Sequence, residues 1–159
     1  GIRPSHLDAH MGTAFLFLTQ LLSVATRYGI PPLLCRDFAP LFRLVRCDGP
    51  DPKRVAAAIE TADAGGWPVF DSFLMGFVPD GQPPEPFYSE LIATAPEGLS
   101  FYACHANAPG EMAAIAAHHV WPREAEHRLY ADPAVRRVFG DATLVTFKDL
   151  TREDPARCA

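Results

Sequence analysis

The chain has 159 residues, a formal net charge of −5 and an apolar content of 48%. That apolar content excludes a disordered polar chain, and the acidic balance, with Lys and Arg scattered and no basic stripe, speaks against a nucleic-acid-binding surface. No apolar run is long enough to span a membrane, since the stretch 14–24 is interrupted by Thr19, Gln20 and Ser23.

Residues 5–9 read as a short strand. Residues 13–28 read as a long apolar helix, with Phe15, Phe17, Leu18, Leu21 and Leu22 as core, stopped by Gly29 and then Pro31-Pro32. Residues 33–35 form a short buried strand. Residues 53–64 carry helical spacing at Val55, Ile59 and Ala62, behind a Pro52 suited to a first turn, and Gly65-Gly66 ends them. Residues 69–73 make a third strand. The stretch 78–86, with four prolines and one glycine, is a loop. A helix over 86–95 follows, then a fourth strand over 99–104. Residues 109–119 and 123–131 are helical, the latter continuing past Pro133 to Phe139, and 144–147 are the last strand.

Strands that alternate with helices imply parallel βαβ units. About five strands in one α/β domain over 1–159 can form a small open sheet, or the second half of a (β/α) barrel, whose usual length is about 250 residues. In both architectures functional side chains gather at the C-terminal ends of the strands. Cys35, Cys47, Cys104 and Cys158 form no CxxC pair, so neither a zinc ribbon nor a redox motif is indicated. Free thiols of a cytoplasmic protein are expected, and no signal peptide is visible.

Three constellations carry chemistry. In His6-Leu7-Asp8-Ala9-His10, alternation along a strand puts His6, Asp8 and His10 on one face. Imidazole and carboxylate together suit a divalent cation. His10 is the expected ligand. Asp8 is either a further ligand or an orienter of a histidine, and His6 is expected first to bond locally or cap, with a place beside Asp8 as orienter or further ligand left open. The second constellation is Cys104-His105-Ala106-Asn107, directly after a strand, where His105 is placed to act as general acid or base near neutrality. The third is Asp71-Ser72-Phe73, where Asp71 either contacts substrate hydroxyls or caps a turn. His118 and His119 read as residues near a helix end. His127 reads as part of a charged, solvated face with Arg123, Glu124, Glu126 and Arg128.

Arg3-Pro4-Ser5-His6-Leu7-Asp8-Ala9-His10 resembles the (K/R)PTHLDSH signature of the YdjC-like (ChbG/HpnK) carbohydrate deacetylases. Tyr28-Gly29-Ile30-Pro31 follows the first helix as it does there. Cys104-His105 resembles that family's late strand ending in His-Pro, Arg123 with Glu126 its R-x-x-E helix, and Thr146-Phe147-Lys148-Asp149-Leu150 its closing strand. The likeness implies a TIM-like (β/α) barrel, often a homodimer, that removes the acetyl group from an N-acetylated sugar with a divalent metal, Mg2+ or Zn2+. It implies His10 as one metal ligand and His105 as the acid. The family's Asp-Asp pair and its first metal histidine have no counterpart in these residues. The chain is therefore expected to be the C-terminal portion of a longer deacetylase domain, inactive by itself. Two departures stand out: Ala106 replaces the proline after the late histidine, and Met11-Gly12-Thr13 replaces the histidines that often follow His10. Two other readings remain: another metallohydrolase with an HxDxH site, and a non-catalytic domain that binds sugar or a partner.

Overall fold

The computed structural model of the chain describes residues 4–8, 10–46 and 48–150. Arg3, Ala9, Cys47 and Cys158, on which sequence readings fell, lie outside the described residues, as does the side chain of Phe15. The chain is α/β, with a three-stranded parallel sheet in the order β1-β2-β3: β1 is Cys35–Asp37, β2 Phe70–Leu74 and β3 Ser100–Tyr102. It divides into two compact units, one of residues up to Ser72 with those from Leu144 onward, the other running from Phe73 to Thr143.

In the first unit, the described residues of the expected strand over 5–9 show a single parallel bridge, Leu7 to Pro32. Leu7 N–H donates to Pro31 O (2.9 Å), and Leu33 N–H donates to Leu7 O (2.8 Å). On the Ser5 side the reason lies in the partner: continuing the ladder there would need an N–H on Pro31, which has none. The expected helix over 13–28 is split. A 3-10 helix, His10–Phe17, precedes α1, Leu18–Tyr28. Leu18 is buried and Leu21 and Leu22 are half-buried, but Phe17, expected in the core, is 56% exposed. An apolar run without a polar face does not reveal which of its residues turn inward. Gly29, left-handed at φ 62°, closes α1 with a Schellman motif, Ile30 N–H to Ala25 O (3.0 Å) and Gly29 N–H to Thr26 O (3.3 Å).

Strand β1 begins two residues later than expected and pairs in register with β2, Cys35 opposite Phe70 and Asp37 opposite Ser72. A helix the periodicity did not indicate follows at once: α2, Ala39–Val45, with Asp37 Oδ1 accepting from Ala39 N–H (2.8 Å) at its start. Helix α3, Pro52–Ala64, is the expected one, with Asp51 Oδ1 accepting from Lys53 N–H (2.9 Å) as its cap. Ala25 of α1 and Ala58 and Ala62 of α3 are fully or almost fully buried.

The expected last strand, 144–147, is not a strand. Leu144 and Val145 are exposed, and Phe147–Leu150 is a short helix. The Asp149 carboxylate accepts from both the N–H (2.9 Å) and the hydroxyl (2.6 Å) of Thr146. Thr146-x-x-Asp149 is thus a helix-start pattern of the capping-box kind, and it outweighs the strand preference of Leu144-Val145-Thr146. Three of the five expected strands are therefore present as strands.

In the second unit, α4, Pro84–Ala93, starts inside the proline-rich stretch because its prolines fall in a first turn, where no N–H is needed. The expected helix over 109–119 is two short pieces, α5, Met112–Ile115, and a 3-10 turn, Ala117–His119. Helix α6, Val120–Ala131, and a 3-10 helix, Val135–Phe139, complete the unit. Its core is Val78, Tyr88, Ala125, Leu129 and Val138, surrounded by Phe87, Leu91, Tyr102 and Phe139 among others. Gly76 lies under this core, where a Cβ would sit 3.1 Å from the Phe87 ring and 3.2 Å from Leu91. No helix among the described residues is long and apolar enough to cross a membrane.

Candidate functional site

Helix α6 has a stripe of buried residues, Pro122, Ala125, Glu126 and Leu129, at the spacing of a core-facing helix. Glu126 is the exception in chemistry: a carboxylate at a core position, 1% exposed. The charged, solvated face expected here is corrected on that point. The half-buried Glu124 and the exposed Arg128 form an i,i+4 pair at 3.8 Å, but Glu126 points inward. A buried carboxylate needs hydrogen-bond donors, and Glu126 has one for each oxygen. The Tyr88 hydroxyl donates to Oε1 over 2.6 Å, and the backbone N–H of His105 donates to Oε2.

The same helix grips the loop after β3 from two further directions. Arg123, one turn before Glu126, sends Nη1 to the His105 carbonyl at 3.5 Å, and its own carbonyl accepts from Asn107 N–H at 3.1 Å. The His105 peptide is thus contacted at its N–H by Glu126 and at its C=O by Arg123. Arg123 Nε is buried with no hydrogen-bond partner among the described residues. The half-buried His105 imidazole lies against the Phe77 ring, centroids 6.0 Å apart, and His119 approaches the same ring at 5.6 Å.

Burial sets the protonation of this cluster. It pushes the Glu126 carboxyl above the usual carboxylate range, against the opposing pull of Tyr88, the His105 N–H and Arg123. Burial also raises Tyr88, with the Glu126 carboxylate beside it adding to the effect. The Tyr102 and Tyr130 hydroxyls are hydrogen-bonded to each other; burial raises Tyr102, and pushes Tyr130 up to about 12. His119 is lowered, first by burial and then by His118, Arg123 and His105. The Cys104 thiol is raised by burial and by Glu126, which makes it a poor nucleophile.

The other sequence candidates lie in the first unit. His6 stacks flat on Phe147, centroids 4.0 Å apart and planes 8° from parallel, and its Nδ1 is 3.0 Å from Ser5 Oγ. Phe147 in turn meets Phe70 edge-on at 5.3 Å. The His6 ring is therefore engaged in packing. Asp8 and His10 are exposed. His10 opens the 3-10 helix, and its carbonyl accepts from the Thr13 hydroxyl (2.9 Å). Asp71 is the second residue of β2, rather than at the end of the strand, and its carboxylate is 3.7 Å from Arg36 Nε on β1. Arg36 is shared with Asp63, 2.9 Å away. Cys35 and Cys104 are free thiols.

Of the site residues expected from sequence, Asp8 and His10 remain near one another along the chain with exposed side chains, whereas His105 belongs to the other unit. Imidazole and carboxylate donors such as His10 and Asp8 suit a divalent cation. Among the described residues, no three His, Cys, Asp or Glu side chains come together as a group able to hold one. Tyr88, Arg123 and Glu126 were not among the sequence candidates. The signal for Glu126 was its register, four residues after Pro122 and three before Leu129. No known family model matches this chain, and neither does any curated protein.

Proposed function

We propose that this chain belongs to a carbohydrate deacetylase of the YdjC-like type, acting on an N-acetylated sugar, with His105 as the acid of the reaction. The supporting observation is the anchoring of His105: it stands three residues beyond the end of β3, and its peptide is contacted at both ends by Arg123 and Glu126 of one helix. A proton donor acts only when held in reach of its acceptor, and a loop fixed at the backbone provides that. The reading also rests on the likeness of residues 3–10 and of the Arg123-x-x-Glu126 spacing to that family. A (β/α) barrel is the architecture proposed with it, and the sequential parallel order β1-β2-β3 is compatible with one.

In the reaction, water adds to the acetamide carbonyl, the C–N bond breaks, and acetate and a free amino sugar leave. The amine is a poor leaving group until its nitrogen is protonated, and His105 supplies that proton. A divalent metal, Mg2+ or Zn2+, would polarise the carbonyl and make water more acidic. His10 is the proposed ligand, with Asp8 as a second donor or as an orienter of His10. The remaining donors and the base are proposed to come from outside these residues. Asp71, already beside Arg36, is the proposed contact to sugar hydroxyls.

The test is acetate release from an N-acetylglucosamine oligomer by the natural protein that carries this chain. His105→Ala is expected to keep its bound metal while turnover falls about 10²–10⁴-fold, the usual worth of a positioned acid. Normal turnover in that variant would remove His105 from the mechanism.

A further inference from the structure

We infer that Glu126 is a positioning residue for His105, acting through the reach of its side chain rather than through its charge. This rests on the proposed role of His105, but the geometry behind it does not. Glu126 is buried on the core stripe of α6, so it is closed off from a substrate in solvent. Both its oxygens are taken, one by the Tyr88 hydroxyl at 2.6 Å and the other by the His105 N–H. The Tyr88 ring is itself fixed, fully buried and edge-on to Phe87 at 5.0 Å. The chain of contact therefore runs from a fully buried aromatic, through a carboxylate, to the backbone N–H of the candidate acid.

Reach and charge make opposite forecasts for two conservative changes. Glutamine keeps the length of the side chain. Its amide oxygen can accept from the His105 N–H while its NH2 donates to the Tyr88 oxygen, so both bonds survive without charge. Aspartate keeps the charge but is one methylene shorter. It cannot span from α6 to the His105 peptide without moving one of them, and close-packed surroundings resist that. If Glu126 works by reach, Glu126→Asp is the more damaging change. If it works as a base or a counter-charge, Glu126→Gln is.

The experiment has a structural arm and a kinetic arm. The structural arm follows the His105 amide proton by NMR in the natural protein and in both variants. A hydrogen bond to a side-chain oxygen at residue 126, charged or neutral, places that resonance downfield of a free amide. Glu126→Asp is expected to move it upfield by more than Glu126→Gln does. An unmoved resonance in the aspartate variant, or a larger displacement in the glutamine variant, overturns the proposal. The kinetic arm measures acetate release from the same oligomer: Glu126→Asp should lose about 10²-fold in kcat with little change in KM, because misplacement of a catalytic group is felt in the chemical step. If the natural protein releases no acetate, the deacetylase reading falls, and the amide resonance still decides the role of Glu126. Should Glu126→Asp fail to fold, the glutamine variant decides alone: loss of the downfield His105 amide there overturns the proposal, and its retention supports it.

Discussion

The Tyr88 hydroxyl lies 2.6 Å from Glu126 Oε1, and neither side chain has meaningful access to water, at 0% and 1% exposure. Hydrogen bonds to a charged group are worth more than neutral ones, and a buried acceptor stripped of its donor carries a desolvation penalty. Tyr88→Phe keeps the ring and removes only the donor, together with the longer contact to Gly76 O at 3.4 Å. The expected cost is about 1.5–3 kcal/mol. Urea unfolding of the two proteins measures it, and equal midpoints would mean that this bond contributes nothing to the fold.

The same carboxylate gives a pH dependence of definite sign. Glu126 is raised above its ordinary value of 4.5, chiefly by burial. A group with a raised folded value favours the folded state most where it is protonated, at and below its unfolded value. That contribution is lost as pH climbs through the folded value. Wild-type stability relative to Glu126→Gln should therefore fall as pH rises from about 4.5. The check is a set of urea midpoints for both proteins across that range. A difference that grows in favour of wild type with rising pH would show that Tyr88, the His105 N–H and Arg123 outweigh burial.

Where the sequence carried a local stop signal, it located the elements well. Gly29 and Pro31-Pro32 mark the end of α1, and Asp51-Pro52 marks the start of α3. Signals that depend on what lies across the sheet were harder to read. The alternation in 5–9 is plain in the sequence, but whether it pairs depends on the opposite chain, and Pro31 has no N–H to carry the ladder from Leu7 back to Ser5. The residues 144–147 have strand composition, yet two hydrogen bonds from Thr146 to Asp149 decide for a helix start. His105 was legible because it follows an apolar strand. The Arg123-x-x-Glu126 spacing was noted as a family likeness, but that Glu126 is buried and holds the loop was not legible, because it sits among the charges Arg123 and Glu124 and only its helical register marks it as inward-facing.

Gly76 offers a packing test at some distance in sequence from His105. An added methyl would lie 3.1 Å from two atoms of the Phe87 ring, and a ring cannot bend aside as the end of a flexible chain can. Phe87 is half-buried against the core that holds Tyr88. Gly76→Ala is expected to cost about 1–3 kcal/mol by overpacking. It should also disturb Tyr88, whose hydroxyl lies near the Gly76 carbonyl. Thermal unfolding measures the first effect. An unchanged midpoint would mean that Phe87 and Leu91 have room to retreat.

The two histidines of the His-x-Asp-x-His segment are predicted to part company on substitution. His6 packs face to face on Phe147 at 4.0 Å, whereas His10 is exposed at the start of its helix. If His6 serves packing, a flat apolar ring should replace it. His6→Phe keeps the stack and gives up only the contact with Ser5 Oγ at 3.0 Å, for a loss of about 0.5–1.5 kcal/mol. His6→Ala gives up the stack as well and should cost about 0.5–1.5 kcal/mol more. Metal content of the natural protein, measured after dialysis against a trace of free Zn2+, should be unchanged in His6→Phe and lost in His10→Ala. The order of the two stability effects tests the packing role, and the metal measurement tests the ligand role independently of it. If His6→Phe loses metal as completely as His10→Ala, His6 is a ligand, and its stack on Phe147 must give way when the ion binds.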